Sequence, residues 1–283
     1  MLNDLDIVNN SDRQEAQYQK HFAFGENWSR FLSVLDEERI KQAEESLKLM
    51  LETEDLSGKS FLDIGSGSGL FSLAAKRLGA KVFSFDYDPM SVNCTQELKY
   101  RYYKDDMDWT IEQGSVLDIE YLRRLGKFDI LYSWGVLHHT GAMWDALRNV
   151  DMNVAPNGKL FLGLYNDQGT TSKIWWIVKK MYNSFPKPLR FIILLPILII
   201  LWGKAVALNA IRSRNPLASF TNYKKGRGMS PYYDLVDWVG GFPFEVSKPG
   251  DIFEFYKKLG YQLTKLSVST GHGCNQYVFQ RQS

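Results

Sequence analysis

The residues best placed to do chemistry fall in two clusters. The first is Phe61-Leu-Asp-Ile-Gly-Ser-Gly-Ser-Gly69, followed after a second apolar run by Asp86. This reads as a buried strand, a glycine turn whose backbone can approach a ligand, and an acid about twenty residues on that can hold a ribose. Gly65, Gly67 and Gly69, with Ser66 between the first two, depart from the dinucleotide pattern, because Leu70 stands where a third small residue would let the helix pack on the strand. Asp63, two residues before the first glycine, would repel a pyrophosphate, and no Lys-Ser/Thr pair closes the loop as in a P-loop. A ligand bearing an ammonium and a sulfonium but no phosphate suits it better, as S-adenosylmethionine does.

The second cluster is Phe128-Asp-Ile-Leu-Tyr-Ser-Trp-Gly-Val-Leu-His-His139. It reads as a strand ending near Ser133 and Trp134, with two histidines just beyond. Imidazole works near neutral pH, so His138 or His139 can take a proton from an acceptor hydroxyl. Two adjacent side chains cannot both face one methyl group; position favours His138, and the alternative is a structural pair bonded to loop backbone. No third ligand lies at useful spacing, so no metal is expected.

These clusters need a scaffold, and the pattern around them supplies one. Strand-like runs at Ser60–Gly65, Lys81–Tyr87, Trp109–Gly114, Phe128–Ser133 and Lys159–Leu164 alternate with helical segments at Gly69–Leu78, Pro89–Tyr103, Asp118–Leu125 and Trp144–Val154. Such alternation implies an α/β, doubly wound parallel sheet with helices on both faces. Ser11 to about Leu51 reads as helical, interrupted by Phe22-Ala-Phe-Gly-Glu-Asn-Trp28, whose aromatics either cap a cofactor or pack on the core.

Phe61–Gly69 with Asp86 resembles motifs I and II of the class I S-adenosylmethionine-dependent methyltransferases. Gln113-Gly-Ser-Val-Leu-Asp118, the Phe128–His139 stretch and Pro156-Asn-Gly-Lys-Leu-Phe-Leu162 fit the same family. The resemblance covers roughly Leu56–Asn166 and resumes over Asp251–Arg281. It implies a seven-stranded Rossmann-like sheet ended by a helix and an antiparallel strand pair. It places Asp63 and the glycine loop near the methionine moiety, Asp86 on the ribose hydroxyls and Tyr87 against the adenine face. Ser115 and Val116 would line the adenine edge, although many relatives have an acid where Ser115 stands. Ser133 and Trp134 would lie beneath the sulfonium.

On this reading residues 1–55 form an N-terminal helical cap, 56–167 with 249–283 the methyltransferase core, and 168–248 a large insertion before the last helix and strand pair. The net charge of +2 conceals a segregation. Between Asp167 and Asp234 there is no acid but there are eleven Lys and Arg, which leaves the rest of the chain at −9. The insertion also holds Phe191-Ile-Ile-Leu-Leu-Pro-Ile-Leu-Ile-Ile-Leu-Trp-Gly203, thirteen residues without a charge, where a spanning helix needs about 20. A monotopic anchor from Phe191 to Trp202, bent at Pro196, with Trp175, Trp176, Trp202 and Tyr182 at the interface and cations on lipid headgroups, is the expectation. The alternative is a buried helix in a lid or dimer interface whose cations are its solvated face.

Acceptor recognition falls to the insertion and to the segment Arg227–Glu245, with the acids Asp234 and Asp237. Gly271-His-Gly-Cys-Asn275 can approach the same mouth, making His272 a further base candidate. Two cysteines, Cys94 and Cys274, give no disulfide framework, and the acids near Met1 do not suit a secretion signal. The expectation is therefore a cytoplasmic enzyme on the inner membrane surface. It would O-methylate an amphiphilic or lipid-linked small molecule, such as a quinone precursor or a glycan. RNA is disfavoured because Ile and Leu dominate the basic segment, where RNA grooves use exposed aromatics among cations. A non-catalytic scaffold that keeps the fold is the remaining alternative.

Overall fold

Hydrophobic alternation with a period of two builds the centre of the molecule. In the computed structural model, which describes residues 24–211, 231–269, 271 and 273–282, β1 (Ser60–Ile64) sends Phe61 to one core and Leu62 and Ile64 to the other. β4 (Phe128–Trp134) does the same with Ile130 and Tyr132 against Leu131. With β2 (Lys81–Asp86), β3 (Trp109–Gln113), β5 (Val154–Tyr165), β6 (Tyr261–Ser267) and β7 (Cys274–Arg281), these form a seven-stranded sheet ordered β3-β2-β1-β4-β5-β7-β6. The first five strands are parallel; β7 runs antiparallel to both β5 and β6. Parallel strands buried on both faces leave only their C-terminal edge for ligands, at the switch of strand order beside β1.

Helices cover both faces. On one side lie α2 (Glu37–Leu51), α3 (Leu70–Arg77) and α4 (Pro89–Tyr103), contributing Leu47, Leu73, Ala74 and Leu98 to the core with Phe61. On the other lie α5 (Ile119–Leu125), α6 (Met143–Val150) and α10 (Pro249–Lys258), which contribute Leu122, Leu147, Ile252 and Tyr256. Local chemistry starts them: Asp88 caps α4 by accepting from Met90 N, with Pro89 at the first turn, and Asp118 caps α5 through Tyr121 N.

The N-terminal part differs from the expectation. Phe22–Trp28 does not simply interrupt a helix: Gly25–Leu32 forms α1, and the break falls at residues 33–36, where Asp36 caps α2 through Arg39 N. Gly25 N donates to Asp88 Oδ2, which ties α1 to the start of α4. The first part of the helix proposed from Ser11 lies outside the described residues.

After Tyr165 the chain leaves the sheet, and it returns at Ser247. Ser247 N donates to Tyr165 O and Asp167 N to Ser247 O, so the two ends of the insertion are pinned together. Between them run α7 (Thr170–Ser184), α8 (Phe191–Ile211) and α9 (Pro231–Gly240), packed through Tyr182, Leu194, Leu235 and Val239. Pro196 does not produce a hairpin. One helix runs through it from Phe191 to Ile211, without the backbone bond that its missing N–H would make. Among the described residues no helix is long and apolar enough to cross a membrane.

Candidate active site

The glycine loop stands where the fold requires it, at the C-terminal end of β1. Gly65 and Gly67 have φ of +80° and +55°, a region costly for any other residue, and Gly69 opens α3. Close approach matters as much as angle. A Cβ on Gly65 would lie 2.4 Å from Val136 Cγ1, and one on Gly67 would lie 3.0 Å from the Trp28 ring. Trp28 on α1 therefore lies against the loop, and Phe24 at the start of α1 packs its ring 5.1 Å from that of His139. Trp28 also packs on the core beside Phe31, the core role weighed for these aromatics, while Phe22 lies outside the described residues.

Asp86 ends β2 with its carboxylate turned to the loop, accepting from Gly67 N and Asp88 N at 2.9 Å each. Burial pushes this carboxyl up to about 6 while those bonds pull it down. Tyr87, next along, is exposed, and Gln113 Nε2 donates to its carbonyl. Trp134 is also exposed and covers Gly163, where a Cβ would come within 2.3 Å of the indole. An acid bonded to a loop of left-handed glycines, with the exposed rings of Tyr87 and Trp134 following the ends of β2 and β4, leaves backbone and a carboxylate together at the C-terminal edge of the sheet.

Other marked residues turn into the scaffold. Asp63 is 1% exposed and accepts a 2.5 Å bond from Ser72 Oγ, which also shares a bond with Ser84 Oγ; Trp109 Nε1 donates to Ser84 in turn. Ser66 Oγ pairs with Thr95 Oγ1, and Ser133 Oγ donates to the Ile64 carbonyl, tying β4 to β1. Ser115 Oγ accepts from Leu117 N in a local turn, and Val116 is buried with its carbonyl bonded by Asn149. Burial, with a smaller repulsion from Asp86, raises the Asp63 carboxyl to about 7, opposed by the Ser72 bond.

Asp63 thus has a folded value near 7 against an ordinary 3.8. The folded state holds its proton more tightly, so this group favours folding below pH 3.8, and that contribution disappears as pH rises through 7. Asp63→Asn keeps an acceptor for Ser72 without the titration. It is expected to melt higher than wild type above pH 7 and no higher below pH 4, as thermal denaturation across pH would read.

The histidines divide. His138 is wholly buried, its ring 4.0 Å from that of Tyr165, and neither ring nitrogen finds a hydrogen-bond partner among the described residues. Burial first, then the neighbouring His139 and Lys179, holds its imidazole well below the ordinary value. His139 is partly exposed, and its Nδ1 lies 2.6 Å from the Pro243 carbonyl. A carbonyl can only accept, so Nδ1 carries the proton, and Nε2 is the acceptor when the ring is neutral. Glu245 N donates to the His138 carbonyl, and the Glu245 carboxylate caps α6 through Met143 N, so the returning chain fixes the histidine turn.

Sequence reasoning missed Lys179, counted there among the cations expected on lipid headgroups or, in the alternative, on a solvated face. It is fully buried, donates to the Trp238 carbonyl, and lies 4.5 Å from the Trp238 ring and 4.8 Å from that of Phe244. Tyr182 is likewise buried, not interfacial, and Trp175 packs edge-on against Trp238. Only the helical spacing of Trp175, Lys179 and Tyr182 could have signalled this shared inner face. Side chains of Asp234, Asp237 and Trp202, and residues Arg227 and His272, lie outside what is described. Among the described residues no cluster of His, Cys, Asp and Glu could hold a metal ion.

A family model described as a methyltransferase domain matches residues 35–186. A mitochondrial ubiquinone biosynthesis O-methyltransferase of Schizosaccharomyces pombe is 32% identical over 136 residues, 47% of this chain and 47% of that one. A tRNA U34 carboxymethyltransferase of Colwellia psychrerythraea is 32% identical over 115 residues, 41% of this chain and 34% of that one. The chain therefore spans less than half the length of these curated relatives. The structure of magnesium protoporphyrin IX methyltransferase from Synechocystis with bound SAH aligns over 90% of this chain and 94% of that one, with a TM-score of 0.52 and 14% identity. That likeness carries the fold. Because the domain model accounts for more than half of its residues, the chain belongs to the methyltransferase-domain family, that of the class I S-adenosylmethionine-dependent methyltransferases.

Proposed function

We propose that this methyltransferase O-methylates an amphiphilic or lipid-linked small molecule at a membrane surface. S-adenosylmethionine, when bound, supplies a methyl group already activated on a sulfonium. Asp86 holds the ribose, Gly65–Gly69 give backbone to the methionine moiety, and Tyr87 and Trp134 border the crevice. Asp63 acts from beneath, holding α3 and the loop in place through Ser72. The chain's remaining task is to orient an acceptor hydroxyl and remove its proton. His139 is the better placed base, since Pro243 fixes its tautomer with Nε2 as acceptor.

The observation supporting the membrane reading is the outer face of the insertion. Ile174, Ile177 and Met181 on α7 and Ile192, Leu195 and Ile199 on α8 recur at helical spacing and are all about half exposed, from 47% to 60%. Lys173, Lys180, Lys187 and Arg190 accompany them. Soluble monomers rarely leave so large an apolar face bare, and a cationic border suits anionic headgroups. The exposed aliphatic surface argues against an RNA groove, despite the tRNA-modifying relative.

The full chain is expected to float with vesicles containing phosphatidylglycerol, less with phosphatidylcholine alone, and to pass labelled methyl from S-adenosylmethionine into a lipid extract. Ile192→Asp with Ile199→Asp removes about 4 kcal/mol of apolar burial, roughly a thousandfold in partitioning, and leaves S-adenosylhomocysteine binding intact. Wild-type protein that stays at the bottom of the gradient would overturn the membrane reading; label appearing only in nucleic acid would overturn the acceptor reading.

A further inference from the structure

The short helix α1 lies across the ligand edge of the sheet, and its two ends are held differently. Gly25 bonds to Asp88 after β2, Trp28 lies against Gly67 after β1, and Phe24 packs on His139 after β4. Those strands are neighbours in the order β2-β1-β4, so the helix crosses over the end of β1. A nucleoside on Asp86 and the glycine loop lies at that crossing, where the strand order switches. The C-terminal end of α1 is anchored: Phe31 and Leu32 are buried, and Arg101 Nη1 donates to the Leu32 carbonyl at 3.0 Å. The N-terminal end is seated by close approach. Gly25 N donates to Asp88 Oδ2 at 2.9 Å, and a Cβ on Gly25 would lie 2.4 Å from Met90 Cβ and 2.7 Å from that same oxygen. Any side chain there would push the helix start off α4.

We propose that α1 is a lid over the S-adenosylmethionine site, latched at its N-terminal end by the bond from Gly25 to Asp88, and that donor and product pass when this latch opens. The lid rests on the cofactor assignment and adds a gate to it. Asp88 suits a latch because its two oxygens have separate tasks. Oδ1 accepts from Met90 N and caps α4 whether or not α1 is seated, while Oδ2 receives Gly25 N. Its own N–H donates to Asp86 Oδ1, and Asp86 Oδ2 accepts from Gly67 N. Latch, ribose acid and glycine loop are thus adjoining links of one hydrogen-bonded chain. When the latch breaks, Gly25 N and the carboxylate both meet water, so opening exchanges one set of hydrogen bonds for another. Seated, the lid sets the Phe24 ring 5.1 Å from that of His139, so the donor loop and the base are covered together. Opening about the anchored end frees both, and closure shields both from water.

The test follows S-adenosylhomocysteine entering and leaving the full chain by stopped-flow tryptophan fluorescence. Asp88→Asn keeps an oxygen for Met90 N but puts an amide nitrogen where Gly25 N needs an acceptor, so α4 stays capped while the latch is lost. Association and dissociation are both expected to quicken by about ten- to a hundredfold, the range for losing a hydrogen bond to a charged group. Gly25→Ala should do the same without touching Asp88. Hydrogen exchange at the amide of residue 25, slow in wild type, becomes fast in both variants, while the Leu32 amide at the anchored end stays slow. Faster dissociation with unchanged association would make Asp88 a ligand contact and overturn the lid. Unchanged rates would make α1 a fixed wall, and fast exchange at Leu32 would mean that the whole helix had come loose; either also overturns it. Should Asp88→Asn fail to fold, Gly25→Ala decides alone. Absence of S-adenosylhomocysteine binding to wild type, measured by calorimetry, would overturn the cofactor assignment itself and is told apart from the latch by hydrogen exchange, which needs no ligand.

Discussion

Asp86→Ala is expected to weaken S-adenosylhomocysteine binding by about ten- to a hundredfold, measured by calorimetry. The carboxylate has two tasks. It is the acceptor offered to ribose hydroxyls, and it receives the Gly67 and Asp88 N–H groups that shape the loop and the start of α4. Hydrogen bonds to a charged group are worth about 1.5–3 kcal/mol, and every 1.4 kcal/mol is a factor of ten. Asp86→Asn loses less of the loop geometry than Ala but still loses the charge, so it should fall between Ala and wild type. An alanine variant that binds with wild-type affinity would remove Asp86 from the cofactor site.

The same residue makes binding and folding respond oppositely to pH. With burial raising the carboxyl to about 6 from an ordinary 3.8, it favours folding most below pH 3.8 and ceases to do so as pH rises through 6. Ribose hydroxyls donate to the ionised form, so affinity rises with pH until about 6 and then levels. The site therefore gives up stability at the pH where it gains ligand, a trade common at functional positions. Asp86→Asn should bind more weakly at neutral pH, and its melting temperature should no longer fall as pH rises through 6, although its amide offers one acceptor where Gly67 N and Asp88 N need two.

Legibility in the sequence followed the range of the interaction. The sheet was readable because alternation at Phe61-Leu62, Ile130-Leu131-Tyr132 and Leu160-Phe161-Leu162 depends only on residues two apart. Caps at Asp88 and Asp118 are equally local. The bond between Asp86 and the glycine loop was readable because the strand–turn–helix pattern sets the spacing of the loop and of the acid that ends the next strand. What was not readable depends on contacts between distant segments. The bond of Ser72 to Asp63 spans nine residues and turns an expected ligand-facing acid inward. The Pro243 carbonyl meets His139 across 104 residues, which is why spacing favoured His138 while the fold orients His139. Lys179 and Trp238 stand 59 residues apart, so a lysine in a basic stretch read as solvated. Pro196 read as a bend because its ring is a local signal, whereas the helix around it is kept by packing on α9 and α7.

The last and largest effect concerns rate. His139→Asn is expected to lower kcat by about a hundred- to ten-thousandfold, the range for loss of a general base, with S-adenosylhomocysteine affinity unchanged. Asparagine is the informative replacement because its amide N–H can still donate toward the Pro243 carbonyl, so the turn held by Glu245 is preserved. What disappears is the Nε2 lone pair. His138→Asn is a different experiment: it empties a ring packed 4.0 Å from that of Tyr165 in a fully buried position, so its loss should appear first in melting temperature. The contrast separates proton removal from support of the histidine turn. Added imidazole should restore part of the rate to His139→Asn, whose ring is partly exposed, and none to His138→Asn, whose ring is buried. If His139→Asn turns over at the wild-type rate on an acceptor whose hydroxyl is un-ionised in solution, the proton leaves by another route and the tautomer fixed by Pro243 serves only the loop.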